Sequence, residues 1–413
     1  MRNVSTSGVG SQSRYLFQGL LNTGKYSVKQ FGGAMKHTNP NVVMVPPYGA
    51  DFVILPTQGF GTPELLKAAL VQEKPDVLFL FTDPRFFIWV WEMEEEIHQI
   101  CPIVYWHIWD NDPYPDFNEV LYKSTDLLNC ISYKTFELVK PHFPEKTNYI
   151  PHSLPEELFR PLPKQDVLNA KQKFLGLNKV DHFITTWIGR NAIRKNPGHL
   201  LIAWKEFLDS LEAKHGHRKA TLIMHTDAPS PENEGPNLIK VADTLGILPN
   251  VVFSVERIEF EHMNLIHNIS DININVSSSE GFGVPTCEAM FAGKPIIGLT
   301  TGGQTRQLIN WKTGEENGVA MKPDARRCIG TLMCPYIYED FVNTSTIANA
   351  IMKMYDLGPA GREALGSKAR AYALEEFSYK KMIEQWDNSL ENIIEKWKSD
   401  RESVYQPWEV KSL

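Results

Sequence analysis

Short apolar and β-branched runs alternate with helix-forming stretches along the whole 413-residue chain, in two series separated by a proline-rich break. Strands that follow one another through helices pair in parallel, so this alternation demands parallel α/β sheets. In the first series strands are expected at 41–45, 76–81, 103–106, 127–131 and 148–150, and helices at 10–24, 63–72 and 133–139. The second series places strands at 183–187, 221–225, 251–254, 272–276 and 295–299, with helices at 197–211, 238–245, 260–268 and 285–292. Between them, PHSLPEELFRPLPKQD holds Pro151, Pro155, Pro161 and Pro163, which suits a connector. The tail from Asn343 to about Ser399 reads as helical, broken near Gly358 and Phe377, and 321–341 reads as an insertion before it. Two domains are expected, since a chain of 413 residues exceeds one ordinary core.

The composition, 42% apolar and 22% charged, is that of a globular protein. A net charge of −7 argues against a polyanionic partner. Residues 1–153, with 12 basic and 16 acidic side chains, are acidic in themselves. Cys101, Cys130, Cys287, Cys328 and Cys334 are odd in number and scattered, as expected of reduced thiols in a cytoplasmic protein. No secretory leader is read at the start. The apolar bursts VLFLF and FFIWVW are split by TDPR, too short for a spanning helix, so stable membrane insertion is not expected.

The informative stretch is SSSEGFGVPTCEAMFAGKPI, residues 277–296. DININV before it and KPIIGLT after it read as strands, and Pro285 and Gly293 as the start and stop of a helix between them. Glu280 then lies in the loop and Glu288 in the first helical turn, at the carboxyl edge of a parallel sheet, where such proteins bind ligands. A helix start attracts phosphate, yet two carboxylates flank this one. They make sense if they hold hydroxyls, because an ionised carboxylate accepts from both members of a diol. A ligand with central phosphates and diols at both ends is a sugar nucleotide. The N–H groups of Gly281, Phe282, Gly283 and Val284 would face its phosphates, Glu280 its sugar and Glu288 its ribose. The bland reading has Glu288 complementing the helix dipole and Glu280 as a solvated loop residue.

EGFGVPTCEAMFAGKPII resembles the E-x7-E signature of retaining glycosyltransferase family 4. The resemblance implies a GT-B fold, two Rossmann-like domains with parallel sheets facing a central cleft. It implies an acceptor-side domain at 1–153, a linker at 154–166, a nucleotide-sugar domain at 167–375 and helices at 376–413 crossing back. Upstream, WIGRNAIRKNPGHLLIAWKEF resembles the family segment whose basic residues grip the donor diphosphate: here Arg190 and Lys195, with Arg194 as an alternative to Lys195. IVYWHIWDNDPYP places His107 where many family members keep a histidine near the donor sugar. SGVGSQSR, with Gly8 and Gly10, resembles the family's glycine-rich first loop. Only RNVST separates it from Met1, so the first strand is either very short or the chain begins late. The glycines of TTGGQTRQL are expected to shape the donor pocket, and the loop around 256–258 to lie against the nucleobase.

The function so implied is transfer of a sugar from a UDP-, GDP- or ADP-sugar to an acceptor hydroxyl with retention, without cofactor or metal. Asp110-Asn111-Asp112 matches the D-x-D metal pattern of the other large glycosyltransferase fold, a match three residues make easily by chance. The acceptor stays open among glycan, lipid, protein, small molecule and modified DNA. A sugar-nucleotide epimerase or phosphorylase of similar fold, or a non-catalytic nucleotide-sugar-binding protein, are the alternatives. Trp89, Trp91, Trp106, Trp109 and Tyr114 are candidates for stacking on sugar rings and equally for core.

Overall fold

The computed structural model describes residues 8–33, 41–229, 235–256, 258 and 262–404, the last four by backbone alone. It begins with α1 (Gly8–Leu21), followed by β1 (Val28–Gly32), β2 (Val43–Val45) and β3 (Gly49–Pro56). These strands make a small sheet in the order β1-β3-β2, with β1 parallel and β2 antiparallel to β3. After α2 (Pro63–Glu73) come β4 (Leu78–Phe81), α3 (Ile88–Trp91), α4 (Glu94–His98), β5 (Ile103–His107), α5 (Glu119–Lys123), β6 (Leu127–Cys130), α6 (Tyr133–Val139) and β7 (Thr147–Tyr149). β4 to β7 form a parallel sheet in sequence order.

All five residues of β5 are buried, so both of its faces are covered. Ile103 and Tyr105 join Tyr122 and Trp91 on one side, while Val104 and Trp106 join Tyr15, Leu16 and Trp386 on the other. The strands at β1 and β3 were not expected: VKQFG lacks alternation, and GADFVILP follows Pro46, Pro47 and a turn through Gly49 at φ 58 that read as loop. The glycine-rich first segment also differs from expectation. Gly8 and Gly10 lie inside α1 rather than in a loop before it, while Ser7 and the residues preceding it fall outside the described residues.

Proline gives way to helix earlier than expected, with α7 (Lys164–Leu175) starting right after Pro163. Then follow β8 (Phe183–Ile188), α8 (Pro197–His215), β9 (Ala220–His225), α9 (Leu238–Thr244), β10 (Val251–Ser254), α10 (Met263–Ile269), β11 (Ile272–Asn275), α11 (Val284–Phe291), β12 (Ile296–Leu299), α12 (Thr305–Leu308) and β13 (Gly318–Met321). The sheet runs β10-β9-β8-β11-β12-β13 and is parallel throughout. Its strand order reverses between β8 and β11, and that switch point is where open α/β sheets bind ligands. The insertion is an antiparallel hairpin, β14 (Ala325–Ile329) and β15 (Ile337–Phe341).

Three helices close the chain: α13 (Thr344–Asp356), α14 (Gly358–Glu376) and α15 (Tyr379–Val404). α15 returns to the first domain. Its fully buried Trp386 meets Trp106 and Phe79 at ring distances of 5.4 and 5.1 Å, and the Tyr379 hydroxyl donates to the Tyr15 carbonyl at 2.7 Å. Among the described residues no helix is long and apolar enough to cross a membrane.

Candidate active site

Because β8 and β11 are neighbours, with Ile272 opposite Thr185, the loops leaving them run side by side. The β8 loop makes one helical turn, Ile193–Lys195, and is tied to the β11 loop by its backbone. Ser278 N–H donates to the Arg194 carbonyl at 2.8 Å, and Asn196 Nδ2 donates to the Val276 carbonyl at 3.0 Å. This brings both basic side chains to Glu280. Lys195 Nζ makes a short ion pair with Glu280 Oε2; Arg194 Nη1 lies 3.5 Å from the same oxygen and donates to the Ser279 carbonyl at 3.0 Å. Glu280 is 7% exposed. Burial by itself raises its pKa, but Lys195 and Arg194 outweigh that and hold the carboxyl below its usual range. Arg190 is exposed in the same loop. Of the two residues left open by the sequence, Lys195 is the one in tight contact with Glu280.

The first domain reaches this cluster through the loop after β5. Glu280 N–H donates to the Asp110 carbonyl at 3.2 Å, and Asp110 Oδ2 lies 3.7 Å from Arg194 Nη1. Gly303 N–H donates to the Glu280 carbonyl at 2.7 Å. A methyl group on Gly302 would sit 2.0 Å from the Asp110 carbonyl oxygen, and one on Gly303 would sit 2.0 Å from that of Gly281. Both glycines are therefore required by the close approach of three backbones. A methyl on Gly281 would come within 2.9 Å of Asp110 Oδ1, so this carboxylate stands directly over the glycine loop. α11 starts at Val284 behind Gly283 at φ 90, and a methyl on Gly8 would lie 3.8 Å from Val284. The positive ends of α1 and α11 thus converge on one place.

Two expectations change. Glu288 falls in the second turn of α11, because the helix begins at Val284 and its first turn is spent before residue 288. It is buried there, with Oε2 3.1 Å from His267 Nε2 of α10. His107 ends β5, yet its ring belongs to the core face of that strand: it stacks on Tyr105 and its Nε2 is 2.7 Å from the Tyr122 hydroxyl. Burial pushes its pKa down to about 3. Where a contact with a donor sugar was expected, the ring's neighbours in this structure are Tyr105 and Tyr122. The histidine beside the glycine loop is His152, after β7, its ring edge-on to Phe282 at 5.2 Å.

Asp112 pairs with Lys134 at 2.8 Å and Arg326 at 3.3 Å, and Asp110 faces Arg194, so both acids of the D-x-D pattern are met by cations. Among the described residues no group of three or more His, Cys, Asp and Glu side chains is arranged to hold a metal. Trp91, Trp106 and Trp109 are buried, and Tyr114 stacks on His142. Residue 257 of the expected base-side loop lies outside the described residues.

Asn111 and Asp340 were missed by the sequence reading. Asn111 Nδ2 donates to Thr301 Oγ1, to the Tyr338 carbonyl and to Asp340 Oδ2 at 2.9, 3.0 and 2.9 Å. The signal was present in the D-N-D string, read for its acids alone.

Residues 170–326 match the family model of glycosyl transferases group 1. Trehalose synthase of Pyrococcus horikoshii is 40% identical over 52 residues, which is 13% of this chain and 12% of that protein. The chain thus matches only a small part of the length of such curated relatives. The sucrose-phosphate synthase of Thermosynechococcus elongatus superposes with a TM-score of 0.73 at 16% identity, over 94% of each chain. Anabaena Alr3699/HepE, solved with UDP and glucose, superposes with a TM-score of 0.67 at 16% identity, over 94% of this chain and 98% of that one. The fold is GT-B, and residues 170–326 within it are similar to glycosyl transferases group 1.

Proposed function

We propose that this protein transfers a sugar from a nucleotide-diphosphate donor to an acceptor hydroxyl, with retention at the anomeric carbon and without a metal. The observation that carries the reading is Glu280 clamped by Lys195 and Arg194 at the head of α11, under Asp110 of the opposite domain. When a diphosphate enters, Lys195, together with Arg190 or Arg194, grips it beside the helix start, and charge growing on the leaving phosphate is stabilised there. Glu280, released in part from its cations, takes sugar hydroxyls. Glu288, oriented by His267, takes the ribose. Residues of both domains meet at Asp110 and Glu280, so closure there excludes water that would hydrolyse the donor. The leaving phosphate accepts the acceptor's proton, and no separate base is assigned.

Calorimetric titration with UDP, GDP, ADP and their glucose or mannose conjugates, with and without EDTA, tests this. One nucleotide should bind, with unchanged affinity in EDTA. Glu288→Ala should weaken the bare nucleoside diphosphate, whereas Glu280→Ala should weaken chiefly the added affinity of the sugar conjugate and abolish turnover. Loss of binding in EDTA would overturn metal independence. Binding without transfer by the intact protein would favour a non-catalytic nucleotide-sugar-binding protein.

A further inference from the structure

The edge of the first domain that faces Glu280 carries charged groups to which the donor reading assigns no role. β4 and β5 are parallel neighbours, with Phe81 opposite Trp106, so the loops at 82–85 and 108–112 leave the sheet side by side. The first opens on Thr82 at φ 108, a conformation a β-branched residue adopts only when its surroundings impose it. Tyr105 holds it there, its hydroxyl donating to the Thr82 carbonyl at 2.9 Å. The next residue, Asp83, accepts from Arg85 Nε with both carboxylate oxygens at 2.8 Å. The side chains of Arg85, Asp83 and Asp110 keep 32%, 25% and 26% of their exposure, so they are held in place yet open to a ligand. The Asp83 carboxylate raises the pKa of Arg85 and keeps the guanidinium charged beside the space between the two loops.

The β14–β15 hairpin walls that space from the second domain. Tyr338 N–H donates to the Asp112 carbonyl at 2.8 Å, the Tyr336 hydroxyl binds Asp116, and the Tyr336 ring stands edge-on to Phe117 at 5.5 Å. Charge then selects the occupant. With a donor bound and its diphosphate on Lys195 and Arg194, the choice of cations this inference takes, what remains between the two loops is Asp83 and Asp110 with one guanidinium already engaged by Asp83; Lys134 and Arg326 are taken up by Asp112 and Asp340. A phosphorylated or carboxylated acceptor meets net negative charge, whereas hydroxyls find carboxylate oxygens, each able to accept two hydrogen bonds.

We infer that Asp83, Arg85 and Asp110 form the acceptor subsite, and that the acceptor is an uncharged carbohydrate held through its hydroxyls. Arg85 fixes the orientation of Asp83; Asp110, over the glycine loop, takes hydroxyls nearest the reacting one. The inference rests on the donor reading above. In the transfer, the acceptor oxygen bonds to the anomeric carbon and the bond from that carbon to the diphosphate breaks. The electron pair leaves with the phosphate, which also takes the hydroxyl proton, so no other reactant is required.

The test compares transfer from labelled UDP-glucose, GDP-mannose and ADP-glucose to glucose, fructose and maltose with transfer to glucose 6-phosphate and fructose 6-phosphate. The neutral sugars should be preferred, and Asp83→Asn should raise their KM about tenfold, the effect of one lost charged hydrogen bond. The nucleotide affinity of that variant, measured by calorimetry, should be unchanged, which also reports that it is folded. Asp83→Lys should move the preference toward the 6-phosphates. Preference of the intact protein for phosphorylated sugars, or an unchanged acceptor KM in Asp83→Asn, overturns the inference. Transfer to the 6-phosphates but to no neutral sugar sinks the acceptor subsite alone; nucleotide binding with no transfer to any acceptor, or no nucleotide binding at all, sinks the transferase reading and the subsite with it.

Discussion

Lys195 and Glu280 are a nearly buried ion pair, 17% and 9% exposed at the side chain, in a protein where such a pair is a poor source of stability. Its members are costly to separate. Lys195→Met should destabilise the protein by about 1–3 kcal/mol in urea unfolding, because Glu280 loses its nearest cation and keeps only Arg194, at 3.5 Å. Adding Glu280→Leu should recover most of that loss while leaving no transferase activity; a double variant as unstable as the single one would refute this account. The glycines give a second residue-scale expectation. Gly302→Ala sets a methyl 2.0 Å from a carbonyl oxygen, whereas Gly314, at φ 74, has open space around its missing side chain. The alanine at 302 should cost about 1–3 kcal/mol more than the alanine at 314, by overpacking, and it should also lower turnover by pushing Asp110 away from Glu280.

At the scale of elements, the β14–β15 hairpin is the piece with the clearest mechanical role. Asp340 accepts from Asn111 and Thr301 and pairs with Arg326, so one carboxylate joins the hairpin, the second domain and the first. Burial raises its pKa, but Arg326, Asn111 and Thr301 prevail and bring it below the usual value. A depressed carboxylate stabilises the fold above its unfolded pKa, about 3.9 for Asp, and loses that contribution as pH falls through the lower native value. Asp340→Asn should therefore be markedly less stable than the native chain at pH 7, and the two melting temperatures should converge in acid. A difference that did not shrink at all as the pH was lowered through the acid range would contradict the assignment. This role had no trace in the hairpin's own sequence, since MKPDARRCIGTLMCPYIYEDF shows no long alternation and its partners lie more than 200 residues away at Asn111 and Asp112. By contrast β10 and α6 stand where their periodicity put them, 251–254 and 133–139, because apolar pattern and caps agree there. The E-x7-E segment fixed the loop and helix correctly but not the turn on which Glu288 sits. That depended on Gly283 adopting φ 90 and letting Val284 open the helix. His107 escaped for a different reason: where every residue of a strand is buried, alternation no longer tells which face a side chain joins.

At the scale of the whole molecule, His107 and His152 are enclosed where burial favours the neutral imidazole. His107 sits in the core of the first domain, and His152 lies where that domain meets the second, between Trp106, Phe81 and Phe282. Burial depresses both to a pKa of about 3. An unfolded histidine takes its proton near pH 6.5. Between that pH and about 3, the unfolded chain binds protons that the folded chain refuses, so stability falls as pH falls. Each histidine should add about 1.4 kcal/mol per pH unit to that slope. Urea unfolding of the native chain and of His107→Gln/His152→Gln, followed from pH 7 to pH 4, isolates the effect: whatever the variant's starting stability, it should decline less steeply. Because His152 spans the junction, the single His152→Gln change should also flatten the acid loss of nucleotide binding, whereas His107→Gln should flatten only the unfolding curve. Equal slopes for all four proteins would mean that neither imidazole stays neutral in the fold, and the closed packing of the two domains around Phe282 would have to be redrawn.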